Sequence, residues 1–366
     1  MLAWRDLDDP EAGGSEVHAS TVARLWAEAG IEVTMRTSFA AGHAQMGWRN
    51  GYRVIRKAGR YMVFPRAAFS EMMCWHGGRD GLVEIWNGMP FMSPLWARTP
   101  HVTWLHHVHA DMWNMTLPPK LAALGRTLES TIAPKFYRRT PVVTLSNSSK
   151  HELVDELGFR PSMVHVVPPG IDPRFSPGGT KSETPLVVAV GRLVPVKRFD
   201  LLVEVLVALH ERHPAMEAVI VGEGYRREQL EMQIHEAGAE RYIHLRGRID
   251  DDEVIDLYRR AWVLTSASAR EGWGMTVTEA AACGTPAVVT RIAGHSDAVS
   301  EGESGLLGHG RDELVNGLDR VLADPGLRDR LSTGARRHAA RFTWAATARG
   351  TLEVLAAEAI RRRRHN

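Results

Sequence analysis

A chain of 366 residues with 44% hydrophobic and 24% charged side chains has the composition of a globular protein with room for two domains of ordinary size. No apolar run approaches the roughly eighteen residues a membrane helix needs, no basic-then-apolar leader opens the chain, and Cys74 and Cys283 are too few for a disulfide framework. A reducing cytoplasm is the expected location. Net charge is only +2, yet Lys and Arg are in excess over the first 150 residues and Asp and Glu over the rest. Arg49, Arg53, Arg56, Lys57, Arg60 and Arg66 give the first half a basic side, and Arg361 to Arg364 close the chain. Such runs are ordinarily solvated faces; the alternative reading is peripheral contact with an anionic membrane, and nucleic acid is not an expected partner.

The predicted elements alternate. A doubly wound domain opens with a buried strand, but here only Met1 to Trp4 precede the polar, turn-prone run Arg5 to Gly14, so the first strand reads as truncated. Ser15 can cap a helix through Ala29 with Val22, Leu25, Trp26 and Ala29 on its apolar side and Gly30 as its stop. Strands follow at Ile31–Met35, His101–Leu105 and Pro141–Leu145. Val167 to Gly179, rich in Pro and Gly, is the linker candidate. Beyond it the alternation is regular: strands at 186–190, 217–221, 242–245, 263–265 and 287–290, with helices at 198–211, 225–237, 252–261 and 276–283 between them. Short all-apolar strands such as Leu186–Val190, each followed by a helix, predict parallel sheets covered on both faces.

Chemistry-bearing residues cluster after predicted strands, where open α/β sheets bind ligands. Gly13 and Gly14 open the first helix and can lay backbone N–H groups on a phosphate; a capped helix start explains them equally well. His106, His107 and His109 follow a strand, with Asp111 beyond. Adjacent histidines on extended chain face opposite ways, so one imidazole at the mouth of a cleft fits better than a metal cluster, and no metal site is expected. Gly191-Arg192 stands five residues before Lys197, a guanidinium fork and a point charge that suit a diphosphate. Gly222, and Arg248 with Ile249, can frame a nucleotide base or simply serve turns. Asp6-Leu-Asp8 and Asp250-Asp-Asp252 match a cation-holding pattern by letter only; the second sits where a helix start favours acids.

The richest segment runs from Glu271 to Pro286. Gly272 and Gly274 permit close backbone approach, and a helix starting near Thr276 turns its positive end to the same place. Glu271 and Glu279 stand eight positions apart, about 12 Å along continuous helix, too far for the shared acid–base work of paired glycosidase carboxylates. They read as gripping different parts of one elongated ligand.

Taken together, Trp4-Arg-Asp6, Ala12 to Glu16, Leu105 to His109, Val166 to Asp172, Val190 to Lys197, Glu271 to Gly274 with Glu279, and Gly284 to Pro286 resemble the retaining, nucleotide-sugar-dependent glycosyltransferases of family 4, over nearly the whole chain. The resemblance implies a GT-B fold: two Rossmann-like doubly wound domains facing across a cleft, residues 1–170 for the acceptor and 171–344 for the donor, with a last helix of about 345–366 packing back on the first. It implies Arg192 and Lys197 on the donor diphosphate, Glu271 on the donor sugar, Glu279 on the ribose, and the N–H groups of Gly274, Met275 and Thr276 on sugar and phosphate. Gly13, Gly14 and Gly191 would let backbone approach the phosphates. His106 matches the family histidine that touches the donor sugar, with His107 the other candidate. Pro169 departs from the Asn common before that glycine, and Trp273 from the commoner Phe. The implied activity is retaining transfer from a UDP- or GDP-sugar to a hydroxyl acceptor (glycan, glycolipid or small molecule) without a required cofactor; the alternatives are an epimerase or phosphorylase of the same fold, or a catalytically impaired nucleotide-sugar binder.

Overall fold

A computed structural model describes residues 1–110, 112–113 and 118–364; Asp111 lies outside the described residues. The chain divides into two compact units, Ile171–Thr343 and the remainder, Met1–Gly170 with the segment from Trp344 on.

In the first unit, strands β1 (Thr34–Thr37), β2 (Met46–Arg49) and β3 (Tyr52–Arg56) pair in the order β1-β3-β2, with β3 parallel to β1 and antiparallel to β2. Strands β4 (Leu82–Trp86), β5 (His101–Leu105), β6 (Val142–Thr144) and β7 (Val164–Val166) form a parallel set in sequence order. The short first strand at Met1–Ala3 is what joins them. Leu2 bridges Arg36 of β1 on one side and Glu84 of β4 on the other. Its N–H donates to Val83 and its carbonyl accepts from Ile85, both at 2.8 Å. With Leu2 only 1% exposed, three residues hold a central strand position through ladder bonds on both edges.

Most boundaries shift by a residue or two, and two shifts in the first unit have a clear local cause. The first helix spans Gly14–Glu28 and is capped by Gly13 rather than Ser15, because Glu16 reaches back to accept from the Gly13 N–H at 2.8 Å. The next strand starts at Thr34 rather than Ile31, because the Ile31 N–H returns to Trp26 O (2.9 Å) across Gly30 (φ +84°), so these residues belong to the helix stop. The last helix, Trp344–Arg363, packs on this unit: Ala348 O accepts from the Trp26 indole (2.9 Å), and Thr347 donates to Pro168 O (2.8 Å).

The second unit is one six-stranded parallel sheet of β8 (Leu186–Val190), β9 (Glu217–Val221), β10 (Ile243–Gly247), β11 (Val263–Ser266), β12 (Ala287–Thr290) and β13 (Gly305–Gly308), ordered β10-β9-β8-β11-β12-β13. The order reverses between β8 and β11, the switch point at which doubly wound sheets bind ligands. Its core gathers the strand Val and Ile side chains with the buried faces of helices Phe199–Arg212 and Gly310–Ala323.

Candidate functional site

The strands flanking the switch point end in the two loops that carry Arg192, Lys197 and Glu271. After β8, Gly191 and exposed Arg192 lead through a single turn, Pro195–Lys197, to the helix at Phe199. After β11, Ser266 to Gly274 lead to the helix Met275–Ala282. Lys197 Nζ forms an ion pair with Glu271 Oε1, both side chains mostly covered, and the Ser268 hydroxyl donates to the same oxygen at 2.8 Å. Ser268 is itself fully buried, touching Ser266 Oγ at 3.1 Å and accepting at its carbonyl from Thr290 Oγ1 at 2.7 Å. Burial works against ionisation of Glu271, but Lys197 and His295 overcome it and hold the carboxyl at about 2.

Two glycines make this loop possible. Gly274 caps the helix at φ +104°, and a Cβ there would lie 3.0 Å from the His295 ring. A Cβ on Gly294 (φ +84°) would come within 2.7 Å of the backbone at Glu271 and Trp273. Ser268 and His295, neither singled out by the sequence, therefore shape the site. His295 is 1% exposed, its Nδ1 sits 3.0 Å from Thr290 O, and burial lowers its proton affinity despite Glu271. Only the strand–Gly–His–helix pattern at Thr290 to Ala298 could have marked it. Trp273, 3% exposed, stands edge-on to Phe342 at 4.9 Å behind the loop.

Glu279 lies one turn into the helix Met275–Ala282 and is half-buried. Burial, with the nearby charges of Asp251 and Asp172, raises its carboxyl to about 7. The loop and short helix after β11 thus carry one carboxylate held ionised and one poised to titrate at neutral pH. Met275 and Thr276 start that helix, half-exposed, where the unpaired N–H groups of a first turn lie.

Gly222 serves packing. Its N–H donates to Gly247 O at 2.8 Å, and a Cβ at its φ of +139° would lie 1.9 Å from Gly191 O. Its glycine character follows from the approach of the Gly191 loop, which bonds back through Gly191 N to Val221 O and Leu193 N to Glu223 O (both 2.9 Å). Arg248 is exposed and Ile249 half-buried beside Asp250, which caps the helix Asp251–Arg260 by accepting from Glu253 N at 2.9 Å.

In the first unit the Gly13 N–H is engaged by Glu16, which also meets Arg5 at 3.5 Å; Gly14 is exposed as the first helical residue. After β5, His106 is 4% exposed, and its Nε2 lies 3.0 Å from His18 Nδ1. His18 stacks on Trp104 with ring centres 4.3 Å apart. Burial pushes His106 down to about 3 and His18 well below the usual histidine range, so the pair is neutral. His106 Nδ1 has no hydrogen-bond partner among the described residues. His107 is half-buried and stacks on His109, so the two adjacent histidines go to different surroundings. The acidic pairs are structural: buried Asp6 meets Arg49 at 2.6 Å and Arg56 at 3.2 Å, and Asp8 pairs with both arginines. Among the described residues no group of three or more His, Cys, Asp or Glu is placed to hold a metal ion. No described helix is long and apolar enough to cross a membrane.

Two family models match in tandem, glycosyltransferase family 4 over residues 12–175 and glycosyl transferases group 1 over residues 172–338. A D-inositol 3-phosphate glycosyltransferase of Kribbella flavida is 32% identical over 96% of this chain and 95% of its own. The chain belongs to the family 4 glycosyltransferases. It transfers a sugar from a nucleoside-diphosphate sugar to an acceptor. A second relative of the same name, from Streptomyces bingchenggensis, is 28% identical over 96% of this chain and 86% of its own. Solved structures share the fold, among them sucrose-phosphate synthase of Thermosynechococcus elongatus (TM-score 0.82, 19% identity, 97% of each chain). The Anabaena protein HepE in complex with UDP-glucose superposes with TM-score 0.76 at 17% identity, over 97% of this chain and 98% of its own. Both have the GT-B fold, and so does this glycosyltransferase, with two Rossmann-like domains.

Proposed function

We propose that the second unit binds a UDP-sugar and that transfer proceeds with retention at the anomeric carbon. The ion pair of Lys197 with Glu271 beside the start of the helix that bears Glu279 is the observation that carries this reading. Arg192 and Lys197 hold the diphosphate and stabilise its charge as it leaves; Glu271 lies against the donor sugar and Glu279 accepts from the ribose hydroxyls. The N–H groups of Gly274, Met275 and Thr276 serve sugar and phosphate, and the glycine of Gly191 keeps the β8 loop low. Arg248 and Ile249 frame the base. UDP rather than GDP is favoured by the UDP and UDP-glucose complexes of the structural neighbour HepE. Among the described residues no carboxylate stands poised as a covalent nucleophile: Glu271 is locked to Lys197 and Ser268. Same-face displacement follows, with the leaving phosphate taking the proton of the incoming hydroxyl.

The first unit is assigned the acceptor, and His106, neutral and with Nδ1 unpaired among the described residues, is the imidazole proposed for the donor sugar. Peripheral contact with an anionic membrane belongs to the same proposal, resting on that unit's excess of cations. Thermal shift against UDP, GDP and their sugar conjugates tests the donor, with UDP and UDP-sugars expected to raise the melting temperature most. Stabilisation by GDP-sugars alone would overturn the base assignment. Proton NMR of the first product formed reads the anomeric configuration, and an inverted linkage would overturn the displacement route.

A further inference from the structure

The helix Val63–Met72 in the first unit is apolar on two faces. One, with Val63, Phe64 and Ala67, is buried against Leu2, Leu82 and Phe91. The other is exposed: Met62 (63%), Arg66, Phe69 (50%), Met72 and Met73 recur at helical spacing, i, i+4, i+7, i+10 and i+11. The helix end extends this face. Cys74 N–H bonds to Glu71 O (3.1 Å) and Trp75 N–H to Ser70 O (3.2 Å), a Schellman stop with Cys74 at φ +52° where glycine is usual. That left-handed turn folds Trp75, 57% exposed, edge-on to Phe69 at 5.3 Å. Exposed Met, Phe and Trp side by side need a reason, because single scattered apolar residues are ordinary and a row of them is not.

The charges nearby say what covers it. Between residues 57 and 79 the only acid is Glu71, and it is turned to Arg36 (2.9 Å) and Arg79 (3.5 Å). Arg66, on the exposed face itself, and Lys57 make no ion pair among the described residues. His76, beyond Trp75, loses proton affinity first to burial and then to the positive charge of Arg36, Lys57 and Arg53. By contrast Arg49, Arg56 and Arg60 of the basic run are engaged by Asp6, Asp8 and Glu11. A second copy meeting this face about a two-fold axis would set Arg66 and its neighbours against like charges. An anionic bilayer meets both needs, taking aromatic rings at head-group depth and cations on lipid phosphates.

We propose that the exposed face of the helix Val63–Met72, continued through Trp75, docks on an anionic lipid bilayer, with Phe69 and Trp75 inserted and Arg66 on lipid phosphate. This rests on the peripheral contact proposed above and names its surface. Co-sedimentation with phosphatidylcholine vesicles, and with vesicles in which roughly a third of the lipid is phosphatidylglycerol, tests it. The native protein pellets only with the anionic vesicles. Phe69→Ser combined with Trp75→Ser lowers the bound fraction about tenfold, and Arg66→Glu several-fold, without moving the melting temperature. A probe on Cys74, exposed where Cys283 is buried, reads the native sequence directly and shifts its emission to the blue on anionic vesicles only. Pelleting of the double variant like the native protein, or a pelleted probe with no shift, would keep membrane contact and overturn this face. Native protein that pellets with neither vesicle would overturn both. A concentration-dependent dimer that the double variant abolishes, without vesicle binding, would give the face to a second copy and overturn the proposal.

Discussion

The loop after β5 in the first unit and the loop after β11 in the second leave the same place in a Rossmann-like sheet, the carboxyl end of an inner parallel strand. They are built with opposite electrostatics. The first buries imidazoles: His106 bonds to His18, which stacks on Trp104, and both are kept neutral by the cost of charging them away from water. The second covers ions: Glu271 with Lys197, braced by Ser268. Position in the fold therefore sets where chemistry is done, whereas the local supply of counter-charges sets which protonation states survive there.

The sharpest way to break this contrast is to discharge the ionic loop. Lys197→Ala leaves Glu271 beside His295 and Ser268 without its counter-charge, and on the reading proposed above it removes a donor from the departing diphosphate. Turnover of the UDP-sugar is expected to fall by on the order of 100–1,000-fold, and rather less for Lys197→Arg, in initial-rate assays. Near-normal turnover of the alanine variant would deny that this pair stabilises the leaving group.

A structural substitution comes next. Gly222→Ala would place a methyl group 1.9 Å from Gly191 O, so the Arg192 loop must move or the strand end must open. We expect about 2–4 kcal/mol lost from stability in urea unfolding, the range of overpacked or strained core positions. Alanine elsewhere in the same loop, at exposed Glu223, should change it by less than about 0.5 kcal/mol. Equal effects of the two would mean that the Gly191–Gly222 contact does not hold the loop.

How much of this was open to reading depended on range. The strands at 186–190, 217–221 and 287–290 were legible to the residue, because a strand buried on both faces writes itself as a continuous apolar run. Glycine loops and the two glutamates were legible because positive φ and charge each leave few residue choices. The hairpin of β2 and β3, whose outer strand β2 is half-exposed, β4, whose apolar run is broken by the buried Glu84, and β13, two leucines between glycines, were not. Nor were the partners that give the site residues their states. That Glu271 meets Lys197, 74 positions away, or that His18 meets His106, 88 away, is set by tertiary packing and leaves no local spacing to read. The three-residue first strand looked like a defect for the same reason: its ladder partners, near Arg36 and Glu84, are distant in sequence.

Glu279 offers a smaller, pH-resolved test. Its folded value of about 7 lies above that of an unfolded glutamate, near 4.5, so the folded state binds the proton more tightly. Its contribution is fully present below about 4.5 and is lost as pH rises through 7. Glu279→Gln should abolish a decline of about 1–2 kcal/mol between those limits in the ligand-free protein, allowing for partial exposure. Ribose hydroxyls donate best to the ionised form, so the proposed donor contact gives the reverse sign for binding: UDP affinity should weaken as pH falls below 7, and calorimetry in buffers of different ionisation enthalpy should register proton release. An unliganded stability curve with no slope assignable to Glu279 would contradict the burial that sets its state.

The imidazole pair should slope the other way, at lower pH. The folded values of His18 and His106 lie below 6.5, the unfolded value, so the unfolded chain takes up protons first. Their contribution is complete above about 6.5 and is lost as pH falls toward the folded value of about 3 for His106. His18→Phe keeps the stack on Trp104 and the apolar fit but removes one titrating ring, so it should flatten the acid limb of the unfolding curve between about pH 6 and 4 while leaving neutral-pH stability within about 1 kcal/mol. His18→Asn keeps a polar partner for His106 Nε2, loses the stack, and should lower stability at every pH. If the phenylalanine variant instead loses stability uniformly and keeps the acid slope, the hydrogen bond between the rings rather than their exclusion from charge holds the β5 loop, and the contrast between a neutral loop and an ionic one narrows to a difference in partners.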